Sequence, residues 1–206
     1  MMLEDVKLAF TENKLAVVSA IAIFFISIVL GYVLEPYLYS FFNPVVEELT
    51  HKVQTGAITI TFQSIFLNNI KIVFQMFLYG LILCFSAVIL AFNGFFAGYY
   101  LAANDDFLKT FLLIVPHGIF EFSSCIIACA SGFVLFNFLY LFLKTLLRQD
   151  NATVKQMLSV SFESSSVKLK QAVILLIIAS ILMAIAGFFE SYLTLPIAEF
   201  LYSILT

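Results

Sequence analysis

Charge is scarce in this chain of 206 residues, where charged residues make up 11% and hydrophobic residues 63%. Soluble domains carry about 25% charged and roughly 45–50% apolar residues. A soluble chain of this length leaves a large fraction of its surface in water, so it could not hide this much apolar surface. The scarcity of charge therefore excludes a soluble globular protein and makes the lipid bilayer the solvent for much of the chain.

Tryptophan is absent, and cysteine occurs only three times. Without tryptophan, tyrosine has to supply any aromatic belt at the membrane–water interfaces. Cys84, Cys125 and Cys129 lie in apolar runs, which predicts small buried hydrophobic side chains and no disulfide framework. The net charge of −3 argues against nucleic acid as a partner.

Long apolar runs predict an all-α fold, namely a polytopic transmembrane helix bundle that forms a single integral membrane domain over residues 1–206. A spanning helix needs about 20 mostly apolar residues. Runs of this kind cover residues 15–34, 70–92, 118–143 and 172–189. The first run is longer than the apolar core of a cleavable signal peptide, roughly 7–15 residues, so we expect it to remain as the first span.

A further apolar segment, residues 94–115, is interrupted by Asn104-Asp105-Asp106. A charge at the bilayer centre costs about 2.5–3.5 kcal/mol on insertion scales, so one straight span is not expected here. Either the flanking helices run long and kink at Asn93-Gly94 and Pro116 with the acidic turn outside the membrane, or the segment forms a broken or re-entrant pair buried by its neighbours. Counting it gives five membrane segments, with broken or kinked helices around 93–118.

Two connections between the predicted spans, which contain residues 44–55 and 144–171, also give predictions. Pro44 can start a helix, and apolar side chains share one face of residues 44–55, which predicts an interfacial amphipathic helix. The connection 144–171 holds half of all lysine and arginine. The positive-inside rule therefore predicts that 144–171 is cytoplasmic and that the C-terminus is outside. Five crossings make the N-terminus cytoplasmic and four would put it outside; we favour five, which keeps more positive charge inside.

Polar residues inside apolar helices are costly, and here they form a candidate intramembrane polar site. Its members are His117, Glu121, Asn68, Asn69 and Asn93. Residues four apart share a helix face, so the His117 and Glu121 side chains are expected to be neighbours on one helix.

Small residues and proline near this site predict helix breaks and close helix packing, at Gly94, Gly98, Pro116, Gly118 and Gly132. Pro116 lacks a backbone donor, which predicts a kink or a restart of the helix. Gly132 belongs to a row of small residues that lets another helix approach closely. Such rows also make a homo-oligomer feasible.

Three roles fit the polar residues. They can hold kinked helices together by hydrogen bonds, bind a solute or cation or relay protons, or ligate a metal through His117, Glu121 and a cysteine. A second pair of metal ligands and a nucleophile–base set are both missing from the sequence pattern. We therefore predict no metal, no cofactor and no enzymatic activity.

The polar and small residues follow a specific order along the chain: Phe66-x-Asn68-Asn69, Phe74, Gly80, Asn93-Gly94-x-x-x-Gly98, Pro116-His117-Gly118-x-x-Glu121, Ala128 and Gly132. This order resembles the stage II sporulation protein M (SpoIIM) family over nearly the whole chain. The resemblance implies a small multispanning cell-membrane protein of bacteria or archaea. In spore formers the namesake works with partners that recruit and activate peptidoglycan-remodelling enzymes, and it is not itself known as a hydrolase.

The resemblance leads us to expect a non-enzymatic membrane scaffold or assembly component that works with membrane or cell-envelope proteins. The alternative is a transporter or channel component with a solute or ion site at His117 and Glu121. A sealed, fully hydrogen-bonded polar cluster would favour the scaffold, whereas a cavity that reaches these two residues would favour transport.

Overall fold

The computed structural model describes residues 3–55, 61–82, 85–149 and 153–205, without the side chains of residues 45, 46 and 49–54. Over these residues the chain is helical apart from short connections, which confirms the all-α prediction. The helices are α1 (Leu3–Thr11), α2 (Lys14–Gln54), α3 (Phe62–Tyr79), α4 (Phe85–Ala102), α5 (Phe107–Leu146), α6 (Val154–Phe188) and α7 (Thr194–Leu205), with a π-helical turn at Phe189–Leu193 between α6 and α7.

Four stretches of the described chain are long and apolar enough to cross a membrane, which supports the predicted polytopic bundle. They are Lys14–Pro44, Phe85–Ala102, Phe107–Leu146 and Val154–Leu205. The helices α2 and α5 have 41 and 40 residues. At 1.5 Å per residue each is about 60 Å long, twice the hydrocarbon thickness of about 30 Å, so both extend beyond the bilayer core.

The antiparallel pair of α5 and α6 forms the centre of the bundle. Near its middle, the buried Ser124 hydroxyl donates to the Ala179 carbonyl oxygen at 2.7 Å. Near the turn that joins the two helices, the Ser164 and Thr145 hydroxyls are 3.3 Å apart. The facing surfaces are rich in fully buried alanine and serine, which lets the two backbones approach closely.

Helix α4 runs parallel to α2, and glycine brings the two backbones together. Gly94 lies against Phe24 and Gly98 lies against Ile28, one helical turn further along both helices. A Cβ atom on Gly98 would overlap the Ile28 carbonyl group. Removing the side chain at these positions therefore sets how closely α4 can lie on α2.

Helices α3 and α4 form a hairpin whose tip is seated on α5. At the tip, Gly80 lies directly against Gly132, and the Ser86 hydroxyl donates to the Met76 carbonyl oxygen. At the open end of the hairpin, Phe62 lies beside Gly187, close to the end of α6. The hairpin therefore begins and finishes toward the same end of the bundle, and its tip stops about 21 Å short of the last residue of α5 at 1.5 Å per residue.

This hairpin corrects the predicted span 70–92, because a turn after Gly80 divides that span between α3 and α4. The Leu81 and Ile82 amides donate to carbonyl groups three residues earlier, so the end of α3 tightens into a turn. The run is apolar throughout, so hydropathy alone does not reveal the turn.

The chain breaks at the acidic turn and not at Pro116. Helix α4 ends at Ala102, and α5 begins at Phe107 and continues through Pro116. Asp106 caps α5, because its carboxylate accepts from the Lys109 amide at 2.9 Å and from the Tyr202 hydroxyl at 2.8 Å. Of the kink or restart predicted at Pro116, the restart is wrong, since a membrane helix packed by neighbours tolerates one missing donor.

Two smaller predictions also change. The connection 144–171 is mostly helical, since α6 starts at Val154, and the hydroxyls of Ser164, Ser165 and Ser166 bond back to the helix. The backbone at 44–54 continues α2 in place of a separate interfacial helix. Most side chains of 44–55, together with Cys84, lie outside the described residues.

A polar network fixes the start of α2 to α6. Gln171 donates to Glu12 at 2.7 Å and accepts from Asn13 at 2.8 Å, while Lys168 lies 3.4 Å from Glu12. The Gln171 amide first, and Lys168 next, lower the pKa of the Glu12 carboxyl. This network places the N-terminus toward the end of the bundle that carries the lysines of 144–171, which we call the basic end.

Replacing Gly98 with alanine is expected to destabilise the bundle. The added Cβ would meet the Ile28 backbone, and such overpacking costs about 1–3 kcal/mol. Gly187→Ala is the matched control, since its Cβ would find its nearest neighbours at an ordinary 3.5 Å. Thermal unfolding in detergent should show a lower midpoint for Gly98→Ala alone; equal midpoints would contradict the close α2–α4 contact.

The contact between Tyr202 and Asp106 is expected to stabilise the fold less in acid. The Lys109 amide first, and the Tyr202 hydroxyl next, lower the pKa of the Asp106 carboxyl from its usual 3.8. A carboxyl with a lowered pKa stabilises the fold above its unfolded pKa and loses that contribution as pH falls through the folded value.

Tyr202→Phe should therefore lower the melting temperature at about pH 7 and have a smaller effect at about pH 2. Tyr192→Phe, at an exposed tyrosine, serves as the control. An effect of Tyr202→Phe that is the same at both pH values would refute the pairing.

Candidate intramembrane polar site

Two pairs of polar side chains face each other where the segment that joins α6 to α7 packs on α5. Each pair has four-residue spacing, which places its members on one helix face. His117 and Glu121 lie on α5, while Glu190 lies in the π-helical turn and Thr194 is the first residue of α7. Ligand-type atoms of His117, Glu121 and Glu190 all lie within 4.8 Å of one another.

The π-helical turn Phe189–Leu193 is the local feature that precedes this arrangement. A π-helical turn inserts an extra residue without ending the helix, so it changes the direction in which later side chains point. Here it carries Glu190 and leads directly into Thr194. Phe189 packs on Phe120 of α5 with ring centroids 4.9 Å apart, which holds the turn against α5.

The His117 ring lies between a hydroxyl and a carboxylate. Its Nδ1 atom is 3.1 Å from the Thr194 Oγ1 atom, and its Nε2 atom is 3.9 Å from Glu121 Oε2. Thr194 is only 6% exposed, and the His117 and Glu121 side chains are 17% and 24% exposed. When the proton is on Nδ1 it can be donated to Thr194, which leaves the Nε2 lone pair on the side of the carboxylates.

A cavity of about 450 Å³ opens beside these groups. It is lined by Phe92, Asn93, Phe96, Ala97, Tyr100, Leu113, Ile114, His117, Glu121, Phe122, Cys125 and Glu190. The lining is mainly aromatic and aliphatic, with a few convergent polar groups, which is the usual composition of a small-molecule site. Among the described residues the lining contains neither lysine nor arginine, so no such side chain there neutralises the two carboxylates.

The structure brings together part of the predicted polar site. Asn93 lines the cavity with His117 and Glu121, and its side-chain amide donates to the Ile89 carbonyl at 2.8 Å. Asn68 and Asn69 lie on α3 and do not line the cavity; their side chains are 3.5 Å apart.

Sequence reasoning missed Glu190 and Thr194. The predicted fourth span, 172–189, ends one residue before Glu190, so neither residue belongs to a predicted span. The available signal was a Glu-x-x-x-Thr spacing directly after an apolar run, which matches the His-x-x-x-Glu spacing on α5. Spacing within each helix does not show that the two pairs face each other, because their contact joins residues 77 apart in sequence.

The predicted packing residues lie on α4 and α5, the two helices that supply most of the cavity lining. Gly94 and Gly98 face α2, and Gly132 seats the hairpin tip. Gly118 is buried, and a Cβ there would lie near its own helix's Phe122 at 3.0 Å. Pro116 directly precedes His117 inside α5.

Comparison with known proteins gives a family and no activity. The family described as Stage II sporulation protein M matches residues 20–195. An uncharacterized protein of Methanocaldococcus jannaschii is 32% identical over 154 residues, covering 70% of this chain and 76% of the relative. A second uncharacterized protein of that organism is 26% identical over 206 residues, covering 93% of this chain and 87% of the relative. No solved structure matches.

Replacing Glu121 with methionine is expected to stabilise chelator-treated protein. Its carboxylate lies among apolar groups near Glu190, and the Nε2 atom of His117 is 3.9 Å from it. Withdrawing a carboxylate from water costs folding free energy unless hydrogen bonds compensate, and an apolar side chain of similar size removes that cost. Thermal unfolding should give a higher midpoint for Glu121→Met and no change for the exposed control Glu199→Met; a lower midpoint for Glu121→Met would assign Glu121 a structural role.

Proposed function

This chain belongs to the stage II sporulation protein M family, and we propose that it is a non-enzymatic transporter or channel component of the cell membrane. Its cavity would receive a small polar or charged solute beside His117, Glu121 and Glu190. The observation that carries the proposal is the pairing of this cavity with two carboxylates that no lysine or arginine among the described lining residues neutralises.

The free-energy cost of placing ionisable side chains at this site supports a functional role for them. Ionisable groups inside a membrane protein are expensive, and they commonly face a cavity or pathway. A purely structural cluster would be expected to satisfy its members with hydrogen bonds. Here His117 bonds to Thr194, but no hydrogen bond within the described residues joins the Glu121 carboxylate to His117, whose nearest nitrogen is 3.9 Å away.

The arrangement of the helices supports an orientation for the solute path. The N-terminal network and the lysines of 144–171 lie toward the basic end, so the positive-inside rule places that end in the cytoplasm and the C-terminus outside. The α3–α4 hairpin would then enter and leave from the outside. Measured along α5, Glu121 is about 18 Å from Lys109 and about 35 Å from Lys144, so the cavity lies nearer the outside.

Accessibility of the cavity tests the proposal. In a variant whose three native cysteines are replaced by alanine, Ala97→Cys would place a thiol on the cavity wall. The matched control is Ala179→Cys, at a fully buried alanine of α6 that faces Ser124. Both are exposed in membranes to a charged, membrane-impermeant thiol reagent.

We expect Ala97→Cys to react from the outer side and Ala179→Cys to react only after denaturation. If Ala97→Cys also reacts only after denaturation, the cavity is closed to solutes. That result would reject the transport proposal and favour the membrane scaffold, with cell-envelope partners, that the family resemblance implies.

A further inference from the structure

The chemistry of the three converging side chains is more specific than that of a general polar site. His117 offers an imidazole nitrogen, while Glu121 and Glu190 each offer a carboxylate oxygen. These ligands come from two different helices, so the α5–α6 packing holds them together in the folded chain. The sequence pattern predicts no metal site because a second pair of ligands is missing from it. In the folded chain Glu190 supplies a further ligand beside His117 and Glu121.

The net charge of the three side chains indicates the charge of the ion that would bind between them. Two carboxylates and a neutral imidazole carry two negative charges, and the described part of the cavity lining provides no lysine or arginine. A divalent cation would cancel that charge, whereas a monovalent cation would leave one negative charge in a largely apolar cavity. Neutralising a desolvated charge is strongly favourable because burying it unpaired costs several kcal/mol.

The ligand types narrow the choice among divalent cations. Imidazole suits zinc, iron, copper and nickel, whereas carboxylates also suit manganese, and a magnesium or calcium site is built mainly from oxygen ligands. One nitrogen with two carboxylate oxygens therefore fits manganese, iron or zinc better than magnesium or calcium. Thiolate is not needed, which is consistent with Cys125 being almost fully buried in the cavity wall.

The distances allow such a cation with small side-chain movements. Nitrogen and oxygen ligands bind zinc at about 2.0–2.2 Å, so two ligands of one ion lie at most about 4.4 Å apart. His117 Nε2 and Glu121 Oε2 are 3.9 Å apart, and all three ligand atoms fall within 4.8 Å. Three protein ligands leave further coordination positions facing the cavity, as expected of a site that exchanges its ion or a bound water.

Thr194 completes the arrangement as a positioning residue. A histidine that binds metal through Nε2 carries its proton on Nδ1 and normally donates it to an acceptor, which fixes the ring. The Thr194 hydroxyl oxygen is 3.1 Å from Nδ1 and is nearly buried. Its position on the far side of the ring directs Nε2 toward the carboxylates.

We propose that His117, Glu121 and Glu190 bind one divalent transition-metal cation of the manganese, iron or zinc type, with Thr194 orienting His117. This inference rests on the proposed function, because it names that cation as the solute of the cavity. It assigns the three side chains to binding and requires no covalent step.

The binding experiment uses the full chain, purified in detergent and stripped with a chelator. The protein is titrated with Mn²⁺ and Zn²⁺ by calorimetry, with a large excess of Mg²⁺ present, and bound metal is counted by elemental analysis. We expect one ion per chain and a loss of affinity of at least about 10-fold for Glu121→Gln and for Glu190→Gln. Glu199→Gln, an exposed carboxylate of α7, is the matched control and should bind normally.

The positioning role of Thr194 has its own readout. Thr194→Val keeps the shape but removes the acceptor, and loss of such a partner typically weakens metal binding about 10- to 100-fold. Thr194→Ser retains the hydroxyl and should restore affinity. If Val and Ser variants bind equally well and melt at the same temperature as the parent, Thr194 does not orient the ligand.

Two outcomes separate this inference from the proposed function. If Ala97→Cys is labelled from outside but neither Mn²⁺ nor Zn²⁺ binds, or if Glu121→Gln and Glu190→Gln bind as tightly as the parent, the cation assignment is overturned and the solute cavity stands. If an ion binds through these carboxylates but Ala97→Cys is never labelled, the metal site stands and transport is rejected. Protection of Ala97→Cys from labelling by added Mn²⁺ would support both.

Discussion

The close packing of α5 on α6 is the contact on which the other features depend. It brings buried serine and alanine surfaces together, as in the bond from Ser124 to the Ala179 carbonyl. The π-helical turn after α6 leads into α7, where Thr194 meets His117 of α5, and α5 also seats the tip of the α3–α4 hairpin at Gly132. Without this contact, the carboxylates of Glu121 and Glu190 would have no common cavity, because they belong to different helices.

Ionisable groups at this contact lower the stability of the bundle, which indicates that they serve a function. A bundle selected only for stability would fill this space with apolar side chains, since transmembrane helices are stabilised mainly by close van der Waals packing. This bundle instead keeps a cavity of about 450 Å³ beside two carboxylates. The π-helical turn at Phe189–Leu193 fits the same pattern, because such turns are frequent at functional sites. Family membership alone does not explain these features, since both similar archaeal relatives are uncharacterized.

Much of the fold could be predicted from the sequence, because hydropathy reports on burial in lipid. It identified the first span within α2, and four-residue spacing correctly made His117 and Glu121 neighbours. Hydropathy did not reveal the turn after Gly80, and the presence of a proline did not show whether the helix continues at Pro116. At both places tertiary contacts decide whether a helix turns or continues. Sequence reasoning also failed at Glu190, because contact between two helices has no signature in the spacing of either one.

The hairpin tip has a consequence for how the chain is made. Gly80 rests on Gly132, and Ser86 bonds to Met76 beside that glycine. During synthesis, α3 and α4 leave the ribosome well before residue 132, so their tip then has no surface on which to settle. The hairpin can reach its final depth only once α5 has been inserted beside it. The order of translation thus separates insertion of the early helices from their final folding, and gives any chaperone at the translocon an interval in which to protect them.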